Sequence, residues 1–307
     1  MRIHVPNPKI IALTGATGFV GKIVVRELLK KGYHIQALVR PGSHGKTVQD
    51  DRIQWVEGTL GDLKSETALC KGVDMVIHMA GLVTTRTKAE YYRINADAVG
   101  SLAKAANKAG VKRFVYLSSI TAQQPQLSDY AGSKRAGEGA LSRKLGRMKG
   151  VVMRAPAVFG LGDVVTAPFY GFIRKGRLPV PGGRAFKTRK ISLLYVDDLA
   201  EYLTGACLDG SCDGRTVSIA TRPSLTWQEF AEECSLAVGR PVKTLRLPLF
   251  VLYPIAAINT VTKRVFGIGH LTLGKLREFL YEDWSIDIDL STGTDLQSVL
   301  RKTILDA

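Results

Sequence analysis

Short apolar runs alternate with stretches of helical periodicity over the first 220 residues of the chain. Buried parallel strands are near-continuous apolar runs, whereas an amphipathic helix carries apolar residues three or four positions apart. The pattern predicts strands at Lys9–Thr14, Tyr33–Val39, Ile53–Val56, Met75–Met79, Phe114–Leu117, Val151–Met153 and Thr216–Ala220. Helices are predicted between them, over Lys22–Lys31, Ala96–Lys108 and Tyr130–Lys144. This alternation predicts an α/β fold with a Rossmann-type, doubly wound parallel sheet.

The pattern changes in the second half of the chain. Residues 164–190 are rich in Gly, Pro, Arg and Lys and contain no carboxylate. Thr226 and Glu229 have the spacing of a capping box, which marks the start of another helix. Residues 227–307 are therefore predicted to form a smaller, mostly helical C-terminal lobe.

A glycine-rich loop joins the first predicted strand to the first predicted helix. Residues 14–21 read Thr-Gly-Ala-Thr-Gly-Phe-Val-Gly. Glycines at this spacing permit a tight turn and close approach of the backbone to a pyrophosphate, while the helix N-terminus supplies unpaired N–H donors. The predicted cofactor contacts in this loop are Gly15, Thr17, Gly18, Phe19 and Val20.

The residues after the second predicted strand indicate which dinucleotide binds. An NAD site usually places an acidic residue there for the ribose 2′-hydroxyl. This chain has no acidic residue between Glu27 and Asp50 and instead carries Arg40, with His44 and Lys46 nearby. A cation suits a 2′-phosphate, so NADP(H) is the predicted cofactor; the alternative is a solvated surface arginine.

Tyr130 and Lys134 lie one helical turn apart, and therefore on the same face of the predicted helix. An ammonium beside a phenol favours the phenolate and so lowers the pKa of the phenol. This tyrosine could therefore exchange a proton near neutral pH. Ser118 and Ser119 end the strand upstream, and the alternative role for a serine there is helix capping. Together with the glycine loop, these residues predict a redox enzyme.

These motifs resemble the extended short-chain dehydrogenase/reductase superfamily, also called the NAD-dependent epimerase/dehydratase family, over roughly Lys9–Ala220. Gly58–Asp62 resembles the family's GDLxD segment, His78–Gly81 its HxAG turn and Arg154–Gly160 its RPPxVYG segment. The first Asp of GDLxD is replaced by Thr59. The resemblance implies catalytic roles for Ser119, Tyr130 and Lys134. It also implies cofactor contacts by Thr59, Leu60, Ala80, Gly81, Tyr130, Lys134, Pro156 and Val158.

The resemblance also implies a reaction. Hydride passes between nicotinamide and a carbonyl carbon while Tyr130 transfers a proton and Lys134 lowers its pKa. The C-terminal half is similar to the 3β-hydroxysteroid-dehydrogenase-like, bacterial ceramide-reductase-like and complex I accessory-subunit-like branches. The expected activity is therefore NADP(H)-dependent oxidoreduction of a lipid-like ketone or secondary alcohol, such as a 3-oxo-ceramide or 3-oxo-steroid. The alternatives are a nucleotide-sugar epimerase or dehydratase and a non-catalytic NADPH-binding structural subunit.

We expect residues 1–163, completed by about 193–220, to form an NADP-binding Rossmann domain. Residues 164–192 and 221–307 are expected to form a substrate-binding lobe. The four cysteines form no CxxC pair, so reduced structural thiols and no metal site are predicted. The N-terminal residues contain no apolar signal-like run, and a cytoplasmic location is expected.

The net charge of +16 favours anionic partners, but no nucleic-acid-binding motif accompanies it, so nucleic acid is not expected. The basic segment 164–190 is expected either to bind an anionic substrate group, to face lipid headgroups or to be solvated. Leu247–Val261 is apolar but is interrupted by Pro254 and shorter than a membrane span. We interpret it as a buried helix of the small lobe. The alternatives are a lining of the substrate channel and a peripheral contact with an anionic membrane surface. The family resemblance adds a homodimer as a candidate assembly.

Overall fold

The computed structural model describes residues 9–44, 47–163, 166–269, 271–287, 290–291 and 293–306. Predictions for Lys46, for residues 164–165 and for the segment before Lys9 lie outside the described residues. The strands are β1 (Ile10–Thr14), β2 (His34–Val39), β3 (Ile53–Glu57), β4 (Met75–His78), β5 (Arg113–Ser119), β6 (Lys149–Ala155), β7 (Ala157–Phe159), β8 (Arg177–Pro181), β9 (Lys190–Tyr195), β10 (Thr216–Ala220), β11 (Arg222–Thr226), β12 (Lys243–Leu247) and β13 (Leu290–Ser291). The helices are α1 (Phe19–Lys30), α2 (Leu63–Cys70), α3 (Lys88–Tyr92), α4 (Ala98–Lys108), α5 (Asp129–Ser142), α6 (Ala167–Arg174), α7 (Val196–Leu208), α8 (Trp227–Val238), α9 (Leu249–Phe266), α10 (Leu273–Leu280) and α11 (Leu296–Asp306).

The central sheet is parallel, and in the described part of the chain it has eight strands in the order β3-β2-β1-β4-β5-β6-β10-β13. The strand order reverses between β1 and β4, and ligands of doubly wound sheets bind outside the carboxyl ends of the strands at this point. The predicted fold class is thus confirmed. Every strand predicted in the first 220 residues is present.

Helices cover both faces of this sheet, because nearly all of its strand residues are apolar. On one face α1 and α7 pack together and bury Val25, Leu28, Leu199 and Leu203 against the strands. On the other face α2, α4 and α5 bury a separate apolar layer. The four cysteines are buried as free thiols.

The small lobe contains strands as well as helices. β7, β9 and β11 form one small sheet, and β8 pairs in parallel with β12. The predicted capping box is present, with Thr226 and Glu229 bonded reciprocally at the start of α8. Helices α6, α8 and α11 share a core with these strands. The sequence did not predict β8 and β12, which are short and rich in proline, arginine and lysine.

The interpretation of Leu247–Val261 as a buried helix is wrong. The segment belongs to α9, an 18-residue helix in which the buried positions are Leu252, Ala256 and Lys263. Pro254 lies inside the helix without ending it, so α9 is longer than the sequence suggested. By length and composition alone, it is long and apolar enough to cross a membrane.

Candidate active site

The glycine loop lies at the carboxyl end of β1, between Thr14 and the first turn of α1. Gly15 has φ of +78°, which L side chains rarely adopt, and a Cβ on it would lie 2.8 Å from the Ala80 nitrogen. A Cβ on Gly21 would lie 2.0 Å from the Gly15 carbonyl oxygen, so α1 packs directly on the loop. Gly18 precedes α1, where no side chain caps the helix N–H groups. This backbone cradle fits a dinucleotide pyrophosphate.

His78 holds the loop that follows β4 against β1. Its Nδ1 lies 2.6 Å from the Thr14 hydroxyl, and the same hydroxyl accepts a 3.3 Å hydrogen bond from the Ala80 nitrogen. Burial, with a smaller effect of the Lys134 charge, lowers the pKa of His78 to about 3. The histidine is therefore neutral and structural, and Ala80 lies beside the glycine loop.

Arg40 is exposed immediately after β2. Among the described residues, no carboxylate pairs with its guanidinium. His44 is instead paired with Glu57 at 2.6 Å. A 2.9 Å hydrogen bond from Gly58 N to the Val39 carbonyl places the loop after β3 beside Arg40. Thr59 in that loop is exposed and Leu60 is partly buried.

Ser119 is the last residue of β5, and its hydroxyl accepts hydrogen bonds from Thr121 N at 3.2 Å and Thr121 Oγ1 at 3.0 Å. It therefore caps the short turn that follows, which was the alternative role for this serine. Ser118 points elsewhere, because its hydroxyl donates to Glu138 at 2.7 Å. Ser119 is thus the serine available to the site.

Pro156 and Val158 extend the same edge of the sheet. Pro156 is buried directly after β6. Val158 in β7 packs against the same buried apolar cluster as Phe19 and Val20 from the start of α1. The carboxyl ends of β1, β4, β5 and β6 therefore bring most of the predicted site residues to one edge.

Tyr130 and Lys134 lie in the first two turns of α5, as predicted. Lys134 Nζ donates a 2.7 Å hydrogen bond to the Leu117 carbonyl and lies 4.4 Å from the centre of the Tyr116 ring. Burial raises the pKa of Tyr130 well above its usual range, although interaction with Ser119 acts in the opposite direction. The expectation that Lys134 lowers the pKa of Tyr130 is therefore wrong for this arrangement, since the ammonium binds β5 instead.

A buried ionic network lies behind Lys134. Glu138 accepts hydrogen bonds from Arg154 Nε at 2.9 Å and Arg154 Nη2 at 2.6 Å, in addition to the bond from Ser118. Burial raises the pKa of Glu138, but these hydrogen bonds outweigh it and hold that pKa below its usual range. Burial lowers the pKa of Lys134 to about 7, and the charge of Glu138 partly opposes the change.

This low pKa makes the contribution of Lys134 to stability depend on pH. Between pH 7 and about 10.4 the unfolded chain binds a proton that the folded chain has lost, so the free energy of unfolding rises with pH. We expect the difference in unfolding free energy between wild type and Lys134→Met to rise by more than about 1 kcal/mol from pH 7 to pH 10. Denaturant titrations at several pH values measure it. Lys104→Met, at an exposed position on α4, is the control. Parallel curves for wild type and Lys134→Met would contradict the low pKa.

Asn95 joins the loop after β4 to α5. Its side chain accepts from Leu82 N at 2.7 Å and donates to the Leu82 carbonyl at 2.9 Å and to Ser133 Oγ at 3.0 Å. It lies in a π-helical turn, Arg93–Asp97, between α3 and α4. A Cβ on Gly137 would approach the Asn95 carbonyl to 2.1 Å, so α5 packs directly on this turn. These contacts give Asn95 a structural role in joining the β4 loop to α5.

Tyr130 also lines a cleft of about 110 Å³ formed by α3, α5, α9 and α10. Lys275 Nζ lies 4.5 Å from the centre of the Tyr130 ring and donates to Glu278 at 2.7 Å. Glu278 also accepts a hydrogen bond from Ser128. Neither Lys275 nor Glu278 was predicted, because they lie some 145 residues from Tyr130 in the sequence. A weak signal existed, since Glu278 is the first carboxylate after Glu233.

The fold and these residues define a nicotinamide-dinucleotide-dependent oxidoreductase of the short-chain dehydrogenase/reductase type. The chain belongs to the NAD dependent epimerase/dehydratase family, whose sequence model matches residues 11–219. The family predicted from the glycine loop and the Tyr–Lys pair is confirmed.

Three similar proteins illustrate this membership. The chain is 34% identical over 283 residues to a ceramide reductase of Caulobacter vibrioides (strain NA1000 / CB15N), covering 90% of this chain and 86% of the relative. It is 31% identical over 192 residues to a decarboxylating sterol-4-alpha-carboxylate 3-dehydrogenase of Dictyostelium discoideum, covering 54% and 58% of the two chains. The solved structure of MoeE5 in complex with UDP-glucose and NAD has a TM-score of 0.69 at 19% identity, covering 96% of this chain and 97% of that chain.

Proposed function

We propose that this protein is an NADPH-dependent reductase of a ketone in a hydrophobic, lipid-like molecule of the 3-oxo-ceramide or 3-oxo-steroid type. The observation that carries the proposal is the cleft at Tyr130, one wall of which is the end of the apolar helix α9. The α9 residues that line the cleft, Thr260, Lys263 and Arg264, are polar. The ketone oxygen would therefore meet the Tyr130 hydroxyl in the cleft, and the long chain would extend onto the exposed apolar face of the same helix. The similarity to a ceramide reductase along most of the chain supports the same class of substrate.

The chain's own residues divide the work as follows. The backbone of the glycine loop and the N-terminus of α1 would hold the dinucleotide pyrophosphate, and Arg40 its 2′-phosphate. When bound, the cofactor supplies hydride to the carbonyl carbon. Ser119 and Tyr130 bind the carbonyl oxygen, and Tyr130 donates its proton to the oxygen as negative charge develops. The raised pKa of Tyr130 keeps the phenol protonated at neutral pH, as a proton donor for reduction requires.

The choice of cofactor rests on Arg40, and we expect Arg40→Ala to weaken NADPH binding about 10- to 100-fold. This range corresponds to the loss of charge-assisted hydrogen bonds to a phosphate, about 1.5–3 kcal/mol. NADH affinity should change little, because NADH has no 2′-phosphate. Fluorescence titration of both nucleotides measures the ratio, with exposed Lys31→Ala as the control. A wild-type preference for NADH, or unchanged NADPH affinity in Arg40→Ala, would refute the assignment.

One assay separates the proposed reductase from its two rivals. The nucleotide carried by the purified protein is identified, and NADPH consumption is followed with long-chain 3-oxo amides, 3-oxo steroids and UDP-sugars. We expect exchangeable NADPH and turnover of at least one long-chain ketone. Tightly held NAD⁺ with interconversion of UDP-sugars would identify an epimerase. Bound NADPH without turnover of any ketone would identify a structural subunit.

A further inference from the structure

Helix α9 presents a continuous apolar face to solvent. Its outer side carries Phe250, Ile258 and Val265, which are 79%, 63% and 58% exposed. Segment 245–268 contributes ten of the sixteen exposed large apolar side chains in the described part of the protein. Large contiguous apolar patches on a protein surface usually mark an interaction site.

The opposite side of α9 is fixed to the protein. Leu252 and Ala256 pack against Leu276 of α10. Lys263 is buried and donates to the Thr84 hydroxyl, and Arg86 donates to the Phe266 carbonyl at 3.2 Å. The protein therefore holds α9 along its buried side and at its C-terminal end. The helix axis lies along the protein surface, and the apolar face points outward to solvent.

Two sequence segments around this helix contain Lys and Arg but no Asp or Glu. Residues 164–196 and 234–277 each contain seven Lys and Arg and no Asp or Glu. The two segments are joined in the fold, because β8 of the first pairs with β12 of the second. Two of these cationic side chains, Lys187 and Arg246, are exposed near the start of α9. The Arg246 guanidinium lies 4.3 Å from the centre of the Phe186 ring. Exposed Arg264 lies in the last turn.

We propose that α9 docks the protein on an anionic lipid bilayer, with its axis in the plane of the membrane. An apolar helix face flanked by Lys and Arg is the arrangement that binds the interface of an anionic bilayer. The apolar side chains enter the acyl boundary and the cations meet the headgroups. A second copy of the chain is a poorer occupant, because a symmetric contact would bring the same basic segments together.

Docking also places the candidate active site beside the lipid. Thr260, Lys263 and Arg264 of α9 line the same cleft as Tyr130, so the docked helix and the reaction site share a wall. A ketone with a long acyl chain then enters the cleft from the bilayer. This delivery step, unlike the docking itself, rests on the proposed function.

Vesicle sedimentation tests the docking with the full chain and no substrate. We expect binding to vesicles of phosphatidylcholine with 30% phosphatidylglycerol, weaker binding at high salt and little to pure phosphatidylcholine. The triple variant Phe250→Ser, Ile258→Ser and Val265→Ser should bind at least about 100-fold more weakly. Its control is Leu63→Ser, Leu236→Ser and Leu305→Ser, which are 60%, 63% and 48% exposed on other helices. This control should bind as wild type does.

A charge variant tests the same surface without touching the apolar face. Lys187→Gln with Arg246→Gln should weaken binding to the anionic vesicles about fivefold for each charge removed. The proposal is overturned if the wild-type protein does not bind anionic vesicles. It is also overturned if the apolar triple variant folds and binds these vesicles as tightly as the wild-type protein does. A wild-type dimer in light scattering that the apolar triple variant breaks, without any vesicle binding, would assign the face to a second copy.

The two proposals fail separately. Vesicle binding without turnover of any ketone would support membrane docking and refute the reductase activity. Turnover of a short, water-soluble ketone by a protein that does not bind vesicles would support the reductase activity and refute the docking. If both hold, the apolar triple variant should retain turnover of the soluble ketone and lose it with a ketone embedded in vesicles.

Discussion

Replacing Tyr130 with phenylalanine is expected to lower kcat for ketone reduction by about 100- to 10,000-fold. The substitution removes only the hydroxyl that donates the proton, and the phenyl ring retains its place beside Tyr91 and Lys275. The NADPH dissociation constant should stay within about threefold of wild type, because the pyrophosphate cradle is untouched. Stopped-flow or steady-state kinetics with NADPH, together with nucleotide titration, measure both quantities.

The control is Tyr91→Phe. Tyr91 lies in the same cleft, with its ring 6.2 Å from that of Tyr130, but its hydroxyl donates to the Val83 carbonyl at 3.2 Å. Its loss should cost far less activity than the loss of the Tyr130 hydroxyl. Full activity in Tyr130→Phe would refute the role of this tyrosine. Equal losses in both variants would indicate a general disturbance of the cleft.

Replacing Glu138 with alanine is expected to lower the free energy of unfolding by about 3 kcal/mol. Arg154, whose side chain is 13% exposed, would lose both of its hydrogen bonds to the carboxylate and remain as an unpaired, largely buried charge. The same change removes the negative charge that supports protonated Lys134, so the pKa of Lys134 should fall further below about 7. Denaturant unfolding and the pH dependence of activity are the two measurements.

Two variants separate the buried pair from a general surface effect. Arg135 also contacts Glu138 at 3.1 Å, but its side chain is 58% exposed, and Arg135→Ala should cost less than about 1 kcal/mol. The double variant Glu138→Met with Arg154→Met should recover much of the lost stability, because it leaves no unpaired charge. Equal stability of Glu138→Ala and Arg135→Ala would show that the buried pair contributes nothing.

Much of the site could be predicted because its determinants are local in sequence. The roles of Gly15 and Gly21 depend on backbone shape within one turn of chain. The spacing of Tyr130 and Lys134 fixes their shared face on α5. The carboxyl ends of neighbouring parallel strands must meet at one edge, so Ser119 and Ala80 could be expected near the loop from the strand pattern alone.

The remainder depends on partners that are distant in sequence. The direction of the Lys134 ammonium is set by Leu117 and Tyr116 on β5, and the helix spacing says nothing about them. Lys275 and Glu278 reach Tyr130 from α10, which no local pattern connects to α5. For α9, the sequence gives the number of apolar side chains, but it does not say whether other helices or strands pack against them. The prediction that this helix is buried therefore failed, as did the prediction that Lys134 lowers the pKa of Tyr130.

The order of the central sheet has a consequence for how the protein is made. β13, near the C-terminus, is an edge strand paired with β10, and α11 then packs on α6 and α8 in the small lobe. β13 and α11 thus contribute to the sheet and to the lobe, respectively. On the ribosome, β10 cannot gain this neighbouring strand until β13, which is synthesised well after it, has left the exit tunnel. Until then, the backbone groups along that edge of β10 lie open to other nascent chains.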